Sequence, residues 1–472
     1  MVPDRSDQGP IATGSLHTKK VASSSATAEP RNRLATLIVF CLPTLAAFGP
    51  FIPAFGPVFA FRIASILLLL IAVVGTRSTT RSGVRRSTAV LAAVWMFASL
   101  ISLLFVGPVE QAWTELLSVA TGLGALLALT LLPDPRRTLA FFLRGWLFAY
   151  VVISALAVAE VVTGVAISSS LPQELTLDGW GLTVTFFNPN NYATFLLYSC
   201  LAILALLAQV RSVIATSVCV AALISIPVLM TFTGSRTGLW LLAVFVIASI
   251  VLLRSRASLK IALIAATIVV AFVVLSNMEE TPFEELANHI GNAGYSVEVL
   301  GFTVPMDAST HVRWELVLAG FAFFALHPLF GGGPGAFEQF VASNGIGSRT
   351  LGVISPHNGF MEVLSQYGIF VFVALVFWLG RMLLIGVRSR RGADRAGSVG
   401  GIVMVVGVVS LPLVLTMHSS ALEPSTTWLF FGLLVLIARS FEATLLLANV
   451  DPGDVSRGPS MSDGAAGPAR GR

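Results

Sequence analysis

The stretch PHNGFMEVLSQYGIFVFVALVFWLGRMLLIGVRSRR, residues 356–391, decides the fold. A polar start gives way to an apolar run over 358–385, which ends in Arg388, Arg390 and Arg391. A helix needs about 20 apolar residues to cross the hydrocarbon core of a bilayer. This run supplies them, with a cationic anchor at one end only. Runs of the same kind recur outward from it, at 34–52, 56–75, 88–106, 112–132, 139–162, 190–208, 212–232, 237–253, 258–276, 399–417 and 425–447. The pattern predicts an all-α polytopic membrane protein of about twelve transmembrane helices. Pro43 and Pro227 interrupt two runs, which membrane helices tolerate. A thirteenth run, 314–329, is short and bracketed by Arg313 and His327-Pro328. It is expected to lie in the interface or in the long loop rather than to span.

Composition agrees. Of 472 residues, 55% are hydrophobic and 11% charged, against roughly 25% charged in a soluble domain. That excludes a water-soluble globular enzyme, a disordered chain and a coiled coil. The net charge of +5 is no sign of a nucleic-acid partner, because the charges sit between apolar runs. Cys41, Cys200 and Cys219 each lie inside an apolar run, so neither a disulfide framework nor a thiolate metal site is indicated.

Orientation follows from the cations. Numbering the spans from a cytoplasmic N-terminus puts 24 of the 29 basic residues on the inside, as the positive-inside rule requires. Arg62 and Arg144 lie near span ends and are expected to snorkel. Only Arg236, Arg313 and Arg349 fall outside. Both termini are therefore expected in the cytoplasm. Residues 1–33 and 448–472 read as disordered tails flanking a transmembrane domain at 34–447. The first tail has no early apolar core, so no cleavable signal is expected and the first run should remain as an anchor. Two long segments face outward, 163–189 and 277–357. The second is expected to contain short helices, and a loop of its length is usually functional.

The outward residues carry what chemistry there is. Arg236 stands in Thr233-Gly234-Ser235-Arg236-Thr237-Gly238, a tight turn between spans. It reads either as a snorkelling cation or as a bidentate fork for phosphate. Arg313 precedes the short apolar run. It is either an interfacial anchor beside Trp314 or a cation at a helix start where an anion binds. Arg349 reads as a solvated loop residue. Gly331-Gly332-Gly333-Pro334-Gly335 is a hinge or an anion-binding nest; it lacks the ending of a P-loop. His357 starts the tenth span beside Asn358 and is either a cap or a base suited to neutral pH. The other outward histidines, His289, His311, His327 and His418, show no metal-ligand spacing. Asn188-Pro189-Asn190-Asn191 opens the sixth span as a turn and cap signal, with amides that a sugar can use. No acidic cluster resembles a divalent-metal site, so no metal or cofactor is expected.

Together these segments resemble the O-antigen ligase and polymerase family of bacterial surface-polysaccharide assembly. Four blocks carry the resemblance in order: Phe186 to Ala193, Thr233 to Gly238, Arg313 through His327 to Phe337, and Pro356 to Leu364. They cover roughly 180–380. The resemblance implies a GT-C-like, metal-independent, inverting glycosyltransferase of the cytoplasmic membrane, with its active site on the outer face. Its donor would be a glycan on undecaprenyl pyrophosphate. Its acceptor would be a hydroxyl of a glycan, glycolipid or protein. By the same resemblance Arg236 and Arg313 would hold the pyrophosphate and His357 would activate the acceptor. Ser235, Asn358, Asn188, Asn191 and Gly333 would support them. The competing reading is a transporter or flippase of lipid-linked glycans. That function calls for polar groups along a midplane path, whereas here they gather at the outer ends of the spans.

Overall fold

The computed structural model describes residues 25–55, 58–75, 82–105, 109–168, 181–186, 188–252, 295–299, 302–306, 308–391 and 395–448. Thirteen α-helices appear among them. These are α1 (Ser25–Phe48), α2 (Ala60–Gly75), α3 (Gly83–Ser102), α4 (Val109–Leu131), α5 (Pro135–Thr163), α6 (Pro189–Leu207) and α7 (Val213–Phe232). They continue as α8 (Arg236–Leu252), α9 (Ala308–Leu326), α10 (Ala336–Ser343), α11 (Gly359–Ser389), α12 (Arg395–Val414) and α13 (Ser425–Ala448). Nine helical segments among the described residues are long and apolar enough to cross a membrane, and Ala60–Gly75 and Arg236–Ile250 are shorter apolar helices. These eleven coincide with eleven of the twelve expected spans. The expected span at 258–276 lies outside the described residues.

Local sequence sets the helix ends. Asp134 caps α5, its carboxylate accepting from Arg137 N at 3.0 Å, and Pro135 stands at the first position, where its missing N–H costs nothing. Gly164 closes the same helix at φ +66° and donates its N–H to Glu160 O at 2.9 Å. Such a left-handed closing residue is the usual role of glycine. Asn188 and Asn358 cap α6 and α11 through their side-chain oxygens.

The helices pack around α6. Every residue from Tyr192 to Leu207 is buried, and a helix apolar on all sides belongs at the centre of a bundle. It touches α5, α7, α8, α12 and α13. In lipid, small residues and buried hydrogen bonds do much of the joining. At Gly145 a β-carbon would collide with the carbonyl oxygen of Phe40, so α1 and α5 touch backbone to backbone. Trp146 Nε1 donates to Ser199 Oγ at 3.0 Å, and Trp378 Nε1 to Thr88 Oγ1 at 3.1 Å. Interhelical hydrogen bonds of this kind average about 0.6 kcal/mol in a bilayer.

Two features differ from expectation. The segment 277–357 contains more than short helices: β3 (Tyr295–Val299) pairs antiparallel with β4 (Phe302–Met306). A smaller hairpin, β1 (Pro53–Phe55) and β2 (Val58–Phe59), joins α1 to α2. Arg62, expected to snorkel, is 4% exposed. Its guanidinium lies 4.6 Å from the centroid of Phe59 and donates to Ser118 Oγ. The hairpin and α4 solvate that charge, so it need not reach the headgroups. Arg144 does stay exposed.

Chain direction sorts the helix ends. The starts of α2, α4, α6, α8, α11 and α13 gather at one end of the bundle with the ends of α5, α7 and α12. The opposite end holds Arg85, Arg86, Arg136, Arg137, Arg211, Arg388, Arg390 and Arg391. A cavity of about 390 Å³ lies there, lined by Arg136, Gln209, Arg211, Ser389, Ser440 and Thr444 among others; none of the four sequence blocks reaches it. The helix α9 packs along the first part of α11 at the other end.

Candidate active site

The start of α6 is the meeting point. Asn188 Oδ1 accepts from Asn190 N at 2.8 Å, and Asn188 Nδ2 lies 3.5 Å from Ser419 Oγ. Asn190 Oδ1 accepts from Ser235 Oγ at 2.8 Å. Asn191 Oδ1 lies 2.9 Å from His418 Nδ1. One helix start thus ties together the turn bearing Arg236 and the turn that follows α12. Ser235 also accepts from Gly238 N at 3.2 Å, which caps α8 and puts Arg236 at its exposed first position.

His357 sits at φ +46°, a left-handed conformation uncommon for a residue with a β-carbon. Neighbouring bonds impose it. His357 N donates to Ser419 O at 3.0 Å, and Gly359 N to Leu415 O at 3.1 Å. Asn358 Oδ1 accepts from Phe360 N and Met361 N, both at 3.1 Å. One turn further, the buried Glu362 accepts from Ala421 N at 2.7 Å and from Ser420 Oγ. The segment 415–421 is therefore stitched to the start of α11 at His357 and just after it. Strain held this way gathers at functional sites.

Arg313, on the first turns of α9, is close enough to act on His357 electrostatically. Burial, and then the positive charge of Arg313, lower the pKa of His357 to about 4. Burial, and then His357, lower that of His418 to about 3. Both rings are therefore neutral at pH 7. In these two rings, Nδ1 of His357 and Nε2 of His418 are buried with no hydrogen-bond partner among the described residues.

The glycine run is neither a hinge nor a nest. Gly332 N donates to Ser365 O and Gly333 N to Gln366 O, both at 3.0 Å, while Ile369 N donates to Pro328 O at 3.0 Å. Gly335 N donates to Gln366 Oε1. These bonds clamp the run onto a break in α11, where Gly368 stands at φ +79° and ψ −178°. Gly333 is thus a backbone contact of α11, and its N–H is spent there. Arg349 lies 3.9 Å from Glu315 with its side chain 74% exposed, as a solvated loop residue does. Among the described residues no group of three or more His, Cys, Asp or Glu side chains is placed to hold a metal ion. His289 lies outside the described residues.

The sequence alone missed His418, which reads there as one unpaired histidine. Its partner Asn191 is 227 positions away, and no spacing links them. Glu362 and Gln366 were missed as well; each acts by fastening backbone that belongs to another segment.

Residues 220–376 match the O-antigen ligase family. That segment is similar to O-antigen ligases. The described helices make the chain a polytopic helical membrane protein. The O-antigen ligase match runs from α7 into α11. It includes Arg236, Arg313, Gly333, His357 and Asn358. It leaves out Asn188, Asn191 and His418, which the fold brings to the same place. No curated protein matches the chain.

Proposed function

We propose that this protein transfers a glycan from undecaprenyl pyrophosphate to an acceptor hydroxyl at the outer face of the cytoplasmic membrane. The observation that carries the reading is the convergence at one end of the bundle. The Arg313 charge acts on the His357 ring, and the turn of Arg236 is fastened to the asparagine cluster that also reaches the His357 turn. Two cations at the same end of the bundle as a neutral imidazole suit displacement of a pyrophosphate.

The acceptor oxygen attacks the anomeric carbon and forms the new glycosidic bond. The bond from that carbon to the phosphate oxygen breaks, and its electron pair leaves with undecaprenyl pyrophosphate. Arg236 and Arg313 hold the pyrophosphate and stabilise the negative charge that grows on it. Because Nδ1 of His357 is the buried nitrogen, Nε2 is left to take the hydroxyl proton. Attack opposite the leaving group inverts the anomeric centre. Holding both substrates in line supplies further rate. The leaving group needs no strong acid, so a glycosidase-like carboxylate pair is not required.

Arg313 couples the two halves. In the free enzyme its charge weakens His357 as a base. A bound pyrophosphate compensates that charge, so the imidazole gains proton affinity when the donor is in place.

The test uses purified protein, undecaprenyl-pyrophosphate-linked glycan and candidate acceptors. The expected result is release of undecaprenyl pyrophosphate with extension of an acceptor, reduced by Arg236→Ala and by Arg313→Ala. Movement of intact donor across vesicles without release would overturn the reading in favour of a flippase.

A further inference from the structure

The second histidine has no place in the reaction described above, yet its surroundings are built for one. His418 is 1% exposed. It lies in the turn between α12 and α13, and that turn is bonded to His357 N and to the start of α11 just after it. The Asn191 oxygen can only accept a hydrogen bond. His418 Nδ1 must therefore carry its proton, and Nε2 keeps a lone pair. That lone pair is buried with no partner among the described residues, and so is Nδ1 of His357, whose backbone N–H is bonded to Ser419 beside His418. Buried polar atoms are nearly always paired. An orphaned acceptor and an orphaned ring nitrogen that can donate, carried by two bonded segments, are chemically matched.

We propose that His418 is a positioning residue for the base: its Nε2 accepts the Nδ1–H of His357, through one buried water or directly when the site closes. That contact fixes the His357 tautomer, with Nδ1 protonated and the Nε2 lone pair free for the acceptor hydroxyl. The inference rests on reading His357 as the base. When His357 takes the acceptor proton on Nε2, its Nδ1–H stays bonded to His418, and no proton passes further. His418 is the weaker base of the two. Arg313 on α9 faces His357, Glu362 of α11 is committed to Ser420 and Ala421, and Asn191 of α6 is neutral. None of these can replace His418 as the acceptor for Nδ1–H.

Two variants separate positioning from packing. His418→Asn keeps an amide nitrogen near the Nδ1 position to donate to Asn191 but has nothing at Nε2. His418→Gln puts an amide oxygen at the Nε2 position and gives up the bond to Asn191. The first measurement needs no substrate: nitrogen NMR of histidine-labelled protein in nanodiscs, with the His357 signals assigned by their loss in His357→Gln. The expected result is His357 protonated at Nδ1 in the wild type, a tautomer mixture in His418→Asn, and recovery in His418→Gln. The second is transfer from lipid-pyrophosphate-linked glycan extracted from the same cells. The turnover number of His418→Asn should fall about 10–10²-fold, the scale for losing a group that orients a functional histidine, with the donor KM unchanged. His418→Gln should regain part of the loss.

A merely structural role would damage both variants alike and leave the tautomer as it was. Wild-type His357 protonated at Nε2, or wild-type tautomer and turnover in His418→Asn, overturns the proposal. Wild-type transfer by His357→Gln with the tautomer effect intact would sink the base reading but leave the pairing standing.

Discussion

His357 combines a left-handed backbone, a neutral ring and an adjacent cation, and each has a measurable consequence. With its pKa lowered to about 4, the free enzyme keeps the base form well below the ordinary histidine range. The acid limb of kcat/KM, which reports the free enzyme, should therefore lie near pH 4 rather than near 6.5. The limb of kcat should lie higher, because bound pyrophosphate offsets Arg313. An acid limb of kcat/KM at the ordinary histidine value would contradict this assignment. NMR titration of His357 without donor gives the matching direction: Arg313→Gln should raise its pKa. The two buried neutral histidines also govern stability. An unfolded histidine binds protons from about pH 6.5 downward, whereas folded His357 and His418 resist until about 4 and about 3. The unfolded chain then binds more protons, so stability falls as pH is lowered through this window. Thermal unfolding in detergent from about pH 7.5 down to about pH 4 should show the decline, and His418→Asn should lessen it. Replacing Arg236 or Arg313 by Lys should restore little of the activity lost on changing either to Ala, because an ammonium cannot reproduce the bidentate fork.

At the scale of elements, the break in α11 and the glycine run on it form one unit. A β-carbon at Gly331 would collide with the backbone of Gln366 and Tyr367, on a residue already at φ +75°. Backbone cannot yield as a flexible side chain does, so Gly331→Ala should lower the unfolding temperature markedly. Gly347 is the control: a β-carbon there would meet nothing within 4 Å, and the position should tolerate Ala. Equal melting temperatures for the two variants would mean that the clamp is dispensable. Asn358→Ala removes a cap shared by two N–H groups and should cost about 0.5–2 kcal/mol, with His357 less firmly held. The helices themselves were legible in the sequence, since an apolar run of spanning length has few alternatives in lipid. The clamp was not, because its bonds from residues 332–333 to 365–366 run backbone to backbone, which leaves little side-chain signature beyond the glycines.

For the whole molecule, the basic residues gather at the end of the bundle opposite His357, and this supports a cytoplasmic placement of that end. Cysteines placed at Ser296 and Ser348 in a cysteine-free background should both react with an impermeant thiol reagent in intact cells. Protection of Ser348 alone would turn 314–329 into a span and reverse the orientation of everything after it. The sequence by itself determined a polytopic helical protein, the positions of eleven described helices and the candidate residues for holding a pyrophosphate and moving a proton. It could do so because hydropathy is read along the chain and because cations at one set of loops are rare. Only the tertiary structure decided which of those residues meet. Asn190 finds Ser235 across 45 positions and Asn191 finds His418 across 227. Such contacts depend on how helices pack around α6, and packing among uniformly apolar faces leaves no periodic trace in the sequence.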